Sequence, residues 1–418
     1  MEKNLKDRYA ALTQKQRALV EKQLELRGKK LERIQAGREK TEANAMPQVP
    51  RRTRRETSRM DFSLFFFSGD GTVRTSNKYE LLLDSVRYAD QNGFKAVWTP
   101  ERHFQDFGGL YPNPSVMSAA LAMITKSITI RSGSVAVPLH HPIRIAEEWA
   151  MVDNLSNGRV EISCASGWHP NDFILSSTPT QENHSNRREV MFDHIATVQQ
   201  LWRGESVSFT GIDGQTVELR SLPRPVQSRL PIWISSQGSP ETFGLAGAIG
   251  ANVLTALVGQ TLEEVGKKIA AYRESLATHG YDPQAGKVAV MVHTFLGADD
   301  ADVKELVREP LSQYLHTFIA QQDKSDDTSY GKLTERDKEE LIRIAFENYY
   351  NTIALLGTPA RCEHLIEELV DIGVNEVACL IDFGLPADTV LGGLEYLNQL
   401  RETYAQPATA GSLEEVHS

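Results

Sequence analysis

The chain has 418 residues, of which 40% are hydrophobic and 24% charged, and its formal net charge is −10. This composition is ordinary for a protein with a large buried core and excludes a chain that is disordered throughout. No apolar run is long enough to span a membrane, and the charged start lacks the apolar region of a secretory signal. Three widely spaced cysteines without a CxxC pair indicate neither a disulfide framework nor a zinc cage. We therefore expect a cytoplasmic protein.

The first 59 residues are expected to form an arm, which differs in charge from the rest of the chain. Residues 1–60 contain 17 Lys and Arg against 8 Asp and Glu, so the acidic excess lies in the body. Apolar residues recur at helical spacing over 12–35, which predicts an amphipathic helix followed by a linker. The run Arg51–Arg55 lacks interleaved aromatic residues and precedes an acidic body, so nucleic-acid binding is not expected. Residues 406–418 are expected to form a disordered tail.

From residue 60 to 405, apolar strand-like runs alternate with helical patterns, which predicts parallel strands joined by right-handed crossovers. Helices are expected near 77–91, 115–126, 142–155 and 186–202. The expected strands are Asp61–Phe67, Ala96–Thr99, Ile128–Val137, Val160–Ala165, Pro231–Ser235, Asn252–Thr255, Val288–Leu296 and Glu376–Ile381. Eight such repeats predict a (β/α)₈ barrel, although an open doubly wound sheet has the same alternation.

Two insertions interrupt the predicted barrel. Residues 205–230 read as a polar hairpin around Gly211 and Gly214, and residues 298–358 read as mostly helical with a charged middle. Loops at the carboxyl ends of barrel strands are the ones that can cover a substrate. The second insertion is therefore a candidate lid.

The loop Ser235–Thr242, which follows the fifth expected strand, has the composition of a phosphate site. Its small residues let the backbone approach an anion, its Ser and Thr residues supply hydroxyl donors, and Pro240 suits the first turn of a helix whose free N–H groups attract phosphate. The alternative is a Ser-capped helix that binds nothing. The chain has neither GxGxxG nor GxxxxGK[ST] here, so neither a Rossmann nor a P-loop site is predicted.

Polar residues also follow the second, third and fourth strands. Gly133 and Ser134 interrupt a β-branched run, which predicts a bulge or a close approach of a ligand or another backbone. Pro100–Phe104 and Gly167–Phe173 carry histidines and carboxylates, and His140 and His141 follow the third strand. A metal site is not expected, because the first strand ends in Phe-Phe-Phe-Ser without the histidines typical of metal-dependent barrel hydrolases. These strand ends instead predict one polar pocket.

An ordered series of short motifs over about residues 60–400 resembles the luciferase-like monooxygenases, in particular the subgroup found with nonribosomal-peptide and polyketide assembly genes. Each motif is weak alone, and their order carries the resemblance. The motifs are Pro100–Phe104, His141–Arg144, Leu155–Arg159, Gly167–Phe173, Arg187–Glu189, Leu201–Gly204, Ser235–Thr242 and Leu356–Pro359.

The resemblance implies a barrel of the bacterial-luciferase type, with reduced FMN supplied by a separate flavin reductase and dioxygen as cosubstrate. It implies hydroxylation of, or oxygen insertion into, a small or carrier-tethered biosynthetic intermediate, and a homodimer. The apolar stripe of residues 12–35 is then a candidate docking helix for a synthase. Two alternatives remain open: a deazaflavin-dependent hydride-transfer enzyme, and a flavin-binding protein without turnover.

The resemblance also assigns residues. Gly133–Ser134 matches a non-proline cis peptide, and Ser235, Gly238, Ser239 and Thr242 match the phosphate site, with Arg187 as a candidate cation. Gly167, Trp168 and Asn171 match positions near the flavin ring. The candidates for the catalytic pocket, whose roles stay unassigned, are Glu101, Arg102, His103 and His169.

The chain departs from bacterial luciferase at two of these places. Arg102 stands where luciferase has its histidine base, and Ala165 stands where luciferase has a reactive cysteine. An arginine with a pKa above about 12 cannot accept a proton at neutral pH. Light emission from aldehydes is therefore not expected. His103 and His169 are the candidates for proton transfer, because neutral histidine exchanges protons near pH 7.

Overall fold

A computed structural model describes residues 58–67, 77–105, 108–167, 169–176, 181–323 and 335–405. The predicted arm helix, its linker, Trp168, the centre of the second insertion and the predicted tail lie outside these residues. The barrel belongs to a compact unit that contains Thr53–Tyr314 and Phe346–Ser418. Residues 315–323, at the end of one helix, and residues 335–345, at the start of the next, belong to a second unit.

Short apolar segments form the strands, and longer amphipathic segments form the helices. The strands are β1 (Asp61–Phe65), β2 (Ala96–Thr99), β3 (Thr129–Ser132), β4 (Val135–Ala136), β5 (Val160–Ala165), β6 (Val207–Thr210), β7 (Thr216–Leu219), β8 (Ile232–Ser235), β9 (Asn252–Ala256), β10 (Val288–Leu296), β11 (Leu355–Gly357) and β12 (Glu376–Leu380). The α-helices are α1 (Glu80–Gln91), α2 (Pro114–Ile124), α3 (Pro142–Ser156), α4 (Gln181–Ser185), α5 (Arg187–Arg203), α6 (Pro240–Ala248), α7 (Leu262–Thr278), α8 (Asp300–Asp323), α9 (Glu335–Thr352), α10 (Pro359–Asp371) and α11 (Ala387–Tyr404).

The strands close into a parallel barrel in the order β1-β2-β3-β5-β8-β9-β10-β12, and β12 pairs with β1. The closing register places Phe65 opposite Leu380. Because every pairing on this path is parallel and the first and last strands meet, the (β/α)₈ prediction is confirmed and the open sheet is wrong.

The alternation of side chains along each strand sends one set into the barrel, where a buried charged cluster lies among aromatic rings. Arg131 is fully buried and donates to Glu376 at 2.7 and 2.8 Å and to Glu161 at 2.8 Å. Its guanidinium lies 4.5 Å from the ring centroids of both Trp98 and Trp233. This cluster joins strands on opposite sides of the barrel, so we call it the core cluster.

The third strand differs from the prediction because it is interrupted. The expected run Ile128–Val137 is divided into β3 and β4, and the peptide bond between Gly133 and Ser134 is cis. An added Cβ on Gly133 would lie 2.9 Å from Phe65 Cε2 and 3.0 Å from Trp98 Cβ. Only glycine therefore fits at this break.

Both insertions have the expected character. The antiparallel pair β6–β7 forms the predicted hairpin, with Val207 opposite Leu219. The second insertion contains α8 and α9, as expected, and then the short strand β11, which pairs with β10 and was not predicted. Among the described residues, no helix is both long and apolar enough to cross a membrane.

Candidate active site

The polar residues predicted for the pocket lie where the barrel strands end. Glu101, Arg102 and His103 follow β2, the Gly133–Ser134 peptide separates β3 from β4, and Gly167 and His169 follow β5. The loop Ser235–Thr242 follows β8 and leads into α6. Carboxyl ends of parallel strands meet at one face of a barrel, which is the face that carries active sites in such folds.

Glu101 is the centre of a hydrogen-bonded group at this face. Its side chain is completely buried, and Oε2 accepts a hydrogen bond from the backbone N–H of Ala136 at 2.7 Å. Oε1 is 2.6 Å from Nε2 of His140 and 3.0 Å from Nε2 of His103. The break between β3 and β4 brings Ala136 and His140 to Glu101, so the sequence did not reveal this contact.

These contacts determine the charge of the group. Burial raises the pKa of Glu101, but the hydrogen bonds with His103 and His140 outweigh burial and hold the pKa below its ordinary value. Burial lowers the pKa of His140, but its hydrogen bond with Glu101 outweighs this effect and raises the pKa. Glu101 is therefore ionised at neutral pH and can only accept hydrogen bonds.

Arg102 lies beside the same group. Its guanidinium lies 4.8 Å from the ring centroid of Phe67, and its backbone N–H donates to the carbonyl of Tyr111 at 2.9 Å. Burial lowers the pKa of Arg102, whereas the nearby Tyr314 and Asp172 act in the opposite direction. An arginine side chain remains a cation under these conditions, so it can attract an anion but cannot act as the base.

Asp172 connects the remaining candidates. Burial raises its pKa, while His103, His169 and Arg102 each act to lower it. The structure thus brings together all four residues predicted for the catalytic pocket. His169 also has a structural role, because its Nδ1 accepts the backbone N–H of Asn171 at 3.3 Å and begins a 3₁₀ helix. Asn171 itself is exposed.

Serine hydroxyls line the barrel beside the cis peptide. Ser134 Oγ lies 2.9 Å from Ser163 Oγ on β5. Ser132 Oγ donates to the carbonyl of Ser163 at 3.0 Å and accepts its N–H at 2.8 Å. These bonds replace the β-ladder where β3 is interrupted, and they fix the position of the Gly133–Ser134 peptide.

The Ser235–Thr242 loop has the local structure that the sequence predicted. Ser239 is the N-cap of α6, its Oγ accepts the backbone N–H of Thr242 at 3.3 Å, and Pro240 occupies the first turn. An added Cβ on Gly238 meets no heavy atom within 4 Å, so the backbone there borders open space. A phosphate fits this loop, since a helix N-terminus, hydroxyl groups and an accessible glycine backbone occur together.

Arg187, the candidate cation for the phosphate, contacts two backbone carbonyls. Its Nε donates to the carbonyl of Gly167 at 3.2 Å and its Nη1 to the carbonyl of His184 at 2.7 Å. The side chain therefore ties the loop after β5 to the start of α5. The neighbouring Arg188 pairs with Glu241 at 2.7 and 3.0 Å, next to the Ser235–Thr242 loop.

His293 is a buried strand residue for which the sequence predicts no role. It lies on β10, is fully buried, and its Nδ1 is 3.0 Å from the hydroxyl of Tyr349. Its ring is perpendicular to that of Tyr314, with the centroids 4.3 Å apart. A lone histidine in an apolar strand gives no signal of such a contact, because both tyrosines come from the second insertion. Among the described residues, no group of three or more His, Cys, Asp or Glu is arranged to hold a metal ion.

Comparison with known proteins finds two kinds of relative. The oxygenase component of flavin-dependent trigonelline monooxygenase from Acinetobacter baylyi is 25% identical over 356 residues, which cover 83% of this chain and 96% of the relative. An F420-dependent hydroxymycolic acid dehydrogenase from Mycobacterium tuberculosis is 28% identical over 239 residues, which cover 56% of this chain and 64% of that relative.

A solved structure shares the fold. The oxygenating constituent of 3,6-diketocamphane monooxygenase from Pseudomonas putida, a type II Baeyer-Villiger monooxygenase in complex with FMN, superposes with a TM-score of 0.65. The identity is 18%, and the match covers 83% of this chain and 99% of that one. A model of the luciferase-like monooxygenase family matches residues 60–376. Since this match spans most of the chain and includes the strand ends described above, the chain belongs to the luciferase-like monooxygenase family of enzymes.

Proposed function

We propose that this protein is the oxygenase component of a two-component system that uses reduced FMN and dioxygen to hydroxylate, or insert oxygen into, a small or carrier-tethered biosynthetic intermediate. The observation that carries the proposal is the Ser235–Thr242 loop, which offers an accessible backbone and a helix N-terminus at the active face of a luciferase-like barrel. A separate flavin reductase is the expected partner, as the name of the Acinetobacter relative also implies for that protein.

In this proposal the phosphate of FMN binds at Gly238, Ser239 and Thr242, with Ser235 at the end of the strand. Reduced FMN, when bound, supplies the electrons that activate dioxygen. Gly133, Ser134, Gly167, Trp168 and Asn171 are proposed to lie along the flavin ring. Arg187 contributes indirectly, by holding the Gly167 carbonyl that follows β5.

His103 is the proposed proton-transfer group. Because ionised Glu101 accepts its Nε2–H, the neutral imidazole keeps Nδ1 unprotonated, so Nδ1 can take a proton from the pocket. A carboxylate that fixes the tautomer of a histidine in this way is a common means of preparing a base. Arg102 supplies a fixed positive charge beside it.

Reduced-flavin binding tests the phosphate site. In an anaerobic titration, Ser239→Asp is expected to weaken reduced-FMN binding at least tenfold, because the new carboxylate repels the phosphate. Aspartate still caps the helix, so the fold of the loop should be kept. The matched control is Asn113→Asp, which adds the same charge at the N-cap of α2, another helix that begins with proline. Equal affinity of wild type and Ser239→Asp would contradict the assignment.

The deazaflavin alternative has a specific basis, namely the F420-dependent relative. Both cofactors carry a phosphate, so the Ser235–Thr242 loop fits either. Oxygen consumption distinguishes an FMN-dependent monooxygenase from a deazaflavin-dependent enzyme. The proposed enzyme consumes oxygen when reduced FMN is supplied, whereas a hydride-transfer enzyme binds the deazaflavin and consumes none. A flavin-binding protein without turnover binds FMN and leaves the rate of oxygen consumption unchanged.

A homodimer through α2 and α3 also belongs to this proposal. The two helices are linked by the hydrogen bond between Ser115 and Glu148, and large apolar side chains on both are 48–70% exposed. These side chains are Val116, Met123, Met151 and Leu155. A second copy of the same face would cover them, and sedimentation of wild type and Met123→Glu would show whether it does.

A further inference from the structure

His140 lies outside the proposed mechanism, although it makes the shortest contact with Glu101. It follows β4 through a short 3₁₀ turn, and its side chain is 29% exposed, whereas that of His103 is 12% exposed. The two imidazoles therefore approach one buried carboxylate from environments that differ in their access to water.

Both imidazoles bind the same oxygen atom. The other oxygen of Glu101 is held by the backbone N–H of Ala136, so the carboxylate cannot rotate to give each histidine an oxygen of its own. Since the ionised carboxylate only accepts, both Nε2 atoms carry hydrogen. Each ring is left with Nδ1 as the nitrogen at which it gains or loses a proton.

The other groups that face the pair are few in the described region. His140 is near Glu148, and His194 makes a hydrogen bond with the backbone of His140. His103 is near Asp172, which in turn faces Arg102 and His169. Glu101 is the group that both histidines share. Its single negative charge offsets one imidazolium, and a second imidazolium would meet an unbalanced positive charge in a buried site.

We propose that His140 is a positioning residue that exchanges a proton with water in step with His103. When His103 Nδ1 takes a proton from the pocket, His140 Nδ1 releases one to water, and the reverse step returns both. Both Nε2–H bonds to Glu101 persist, no proton crosses the carboxylate, and the total charge of the three side chains stays constant. The inference rests on the proposed role of His103.

Nuclear magnetic resonance of ¹⁵N-histidine-labelled full-length protein tests this coupling without flavin or substrate. In His140→Gln, a neutral amide still donates to Glu101 but cannot hold the extra proton. We expect His103 to hold its proton at least tenfold more tightly than in the wild type, because the negative charge of Glu101 then offsets a positive charge on His103 alone. The matched control is the adjacent His141→Asn, which retains an N-cap for α3 and should leave His103 unchanged.

The outcomes are distinct. An unchanged affinity of His103 for its proton in His140→Gln overturns the inference, as does an equal change in His141→Asn. In Glu101→Gln, both histidines should bind their protons more weakly, which provides a second test if His140→Gln does not fold. Failure of the proposed function would appear separately, as an absence of reduced-FMN binding with the histidine coupling intact.

Discussion

Burial sets the charge of His293 at the barrel mouth, lowering the pKa of its imidazole from an ordinary value of 6.5 to about 3. The unfolded chain therefore binds a proton below pH 6.5 that the folded protein does not bind. Stability is complete above this pH and falls as the pH decreases from about 6.5 toward 3. His293 thus makes the fold sensitive to mild acid.

The variant His293→Phe tests this linkage. Phenylalanine keeps an aromatic ring among Tyr314, Tyr349 and Phe383 but cannot titrate. Between pH 7 and pH 5, we expect the free energy of unfolding of the wild type to fall by about 2 kcal/mol more than that of the variant. Urea denaturation at the two pH values measures the difference. Equal losses would mean that His293 is not the group responsible.

At this scale, the sequence indicates a shared pocket where a polar residue follows its own strand. Glu101, Arg102, His103 and His169 could be assigned to one pocket because each follows a strand whose apolar pattern is clear, and their roles stay predictions. The contacts of these residues could not be read from the sequence. His140 reaches Glu101 only because β3 is interrupted, and His293 is defined by tyrosines from an insertion, so neither contact has a spacing that a sequence can reveal.

Among the elements, the interruption between β3 and β4 depends on one glycine. The variant Gly133→Ala would place a methyl group against Phe65 and Trp98, and overpacking of this kind costs about 1–3 kcal/mol of unfolding free energy. The second change Phe65→Leu should recover part of that loss in a double-mutant cycle, because it removes the ring atoms nearest the methyl group. Chemical denaturation measures all three variants.

A control for this experiment lies in α6. An added Cβ on Gly244 meets no heavy atom within 4 Å, and Ala is favoured over Gly inside a helix, so Gly244→Ala should leave stability equal or higher. If Gly133→Ala behaves in the same way, the steric account of the interruption is wrong.

Element positions were largely predictable, because strand and helix periods differ and proline or glycine often marks helix ends. Strand β10 has the predicted bounds Val288–Leu296, and α3 begins at Pro142 as expected. The interruption of the third strand was expected as a bulge but not as two separate strands. Strand β11 was missed because three residues between helices carry too short a pattern to recognise.

Across the whole barrel, the core cluster joins strands that are distant in sequence. Replacing Arg131 with Met would leave the buried carboxylate of Glu376 without its cation, and breaking a buried pair in this way costs about 3–5 kcal/mol. Removing the second charge as well, in Arg131→Met with Glu376→Gln, should recover part of the loss. The comparison needs only the free energies of unfolding of the single and double variants.

The exposed pair between Arg188 and Glu241 is a matched control. Their side chains are 43% and 65% exposed, so solvent screens their charges and Arg188→Met should cost less than about 1 kcal/mol. A similar loss for the two arginine variants would contradict the role assigned to burial in the core cluster.

The closure of the barrel by β1 and β12 also has a consequence for synthesis. Asp61 on β1 lies opposite Glu376 on β12 in the strand register, so roughly 300 residues are translated between the two strands. At about 5–20 residues per second, this takes on the order of 15–60 s. Until β12 is made, one edge of β1 has no partner, and Arg131, once made, lacks one of its carboxylates. We expect a nascent chain stopped before Glu376 to remain bound to ribosome-associated chaperones, and one extended through β12 to be released.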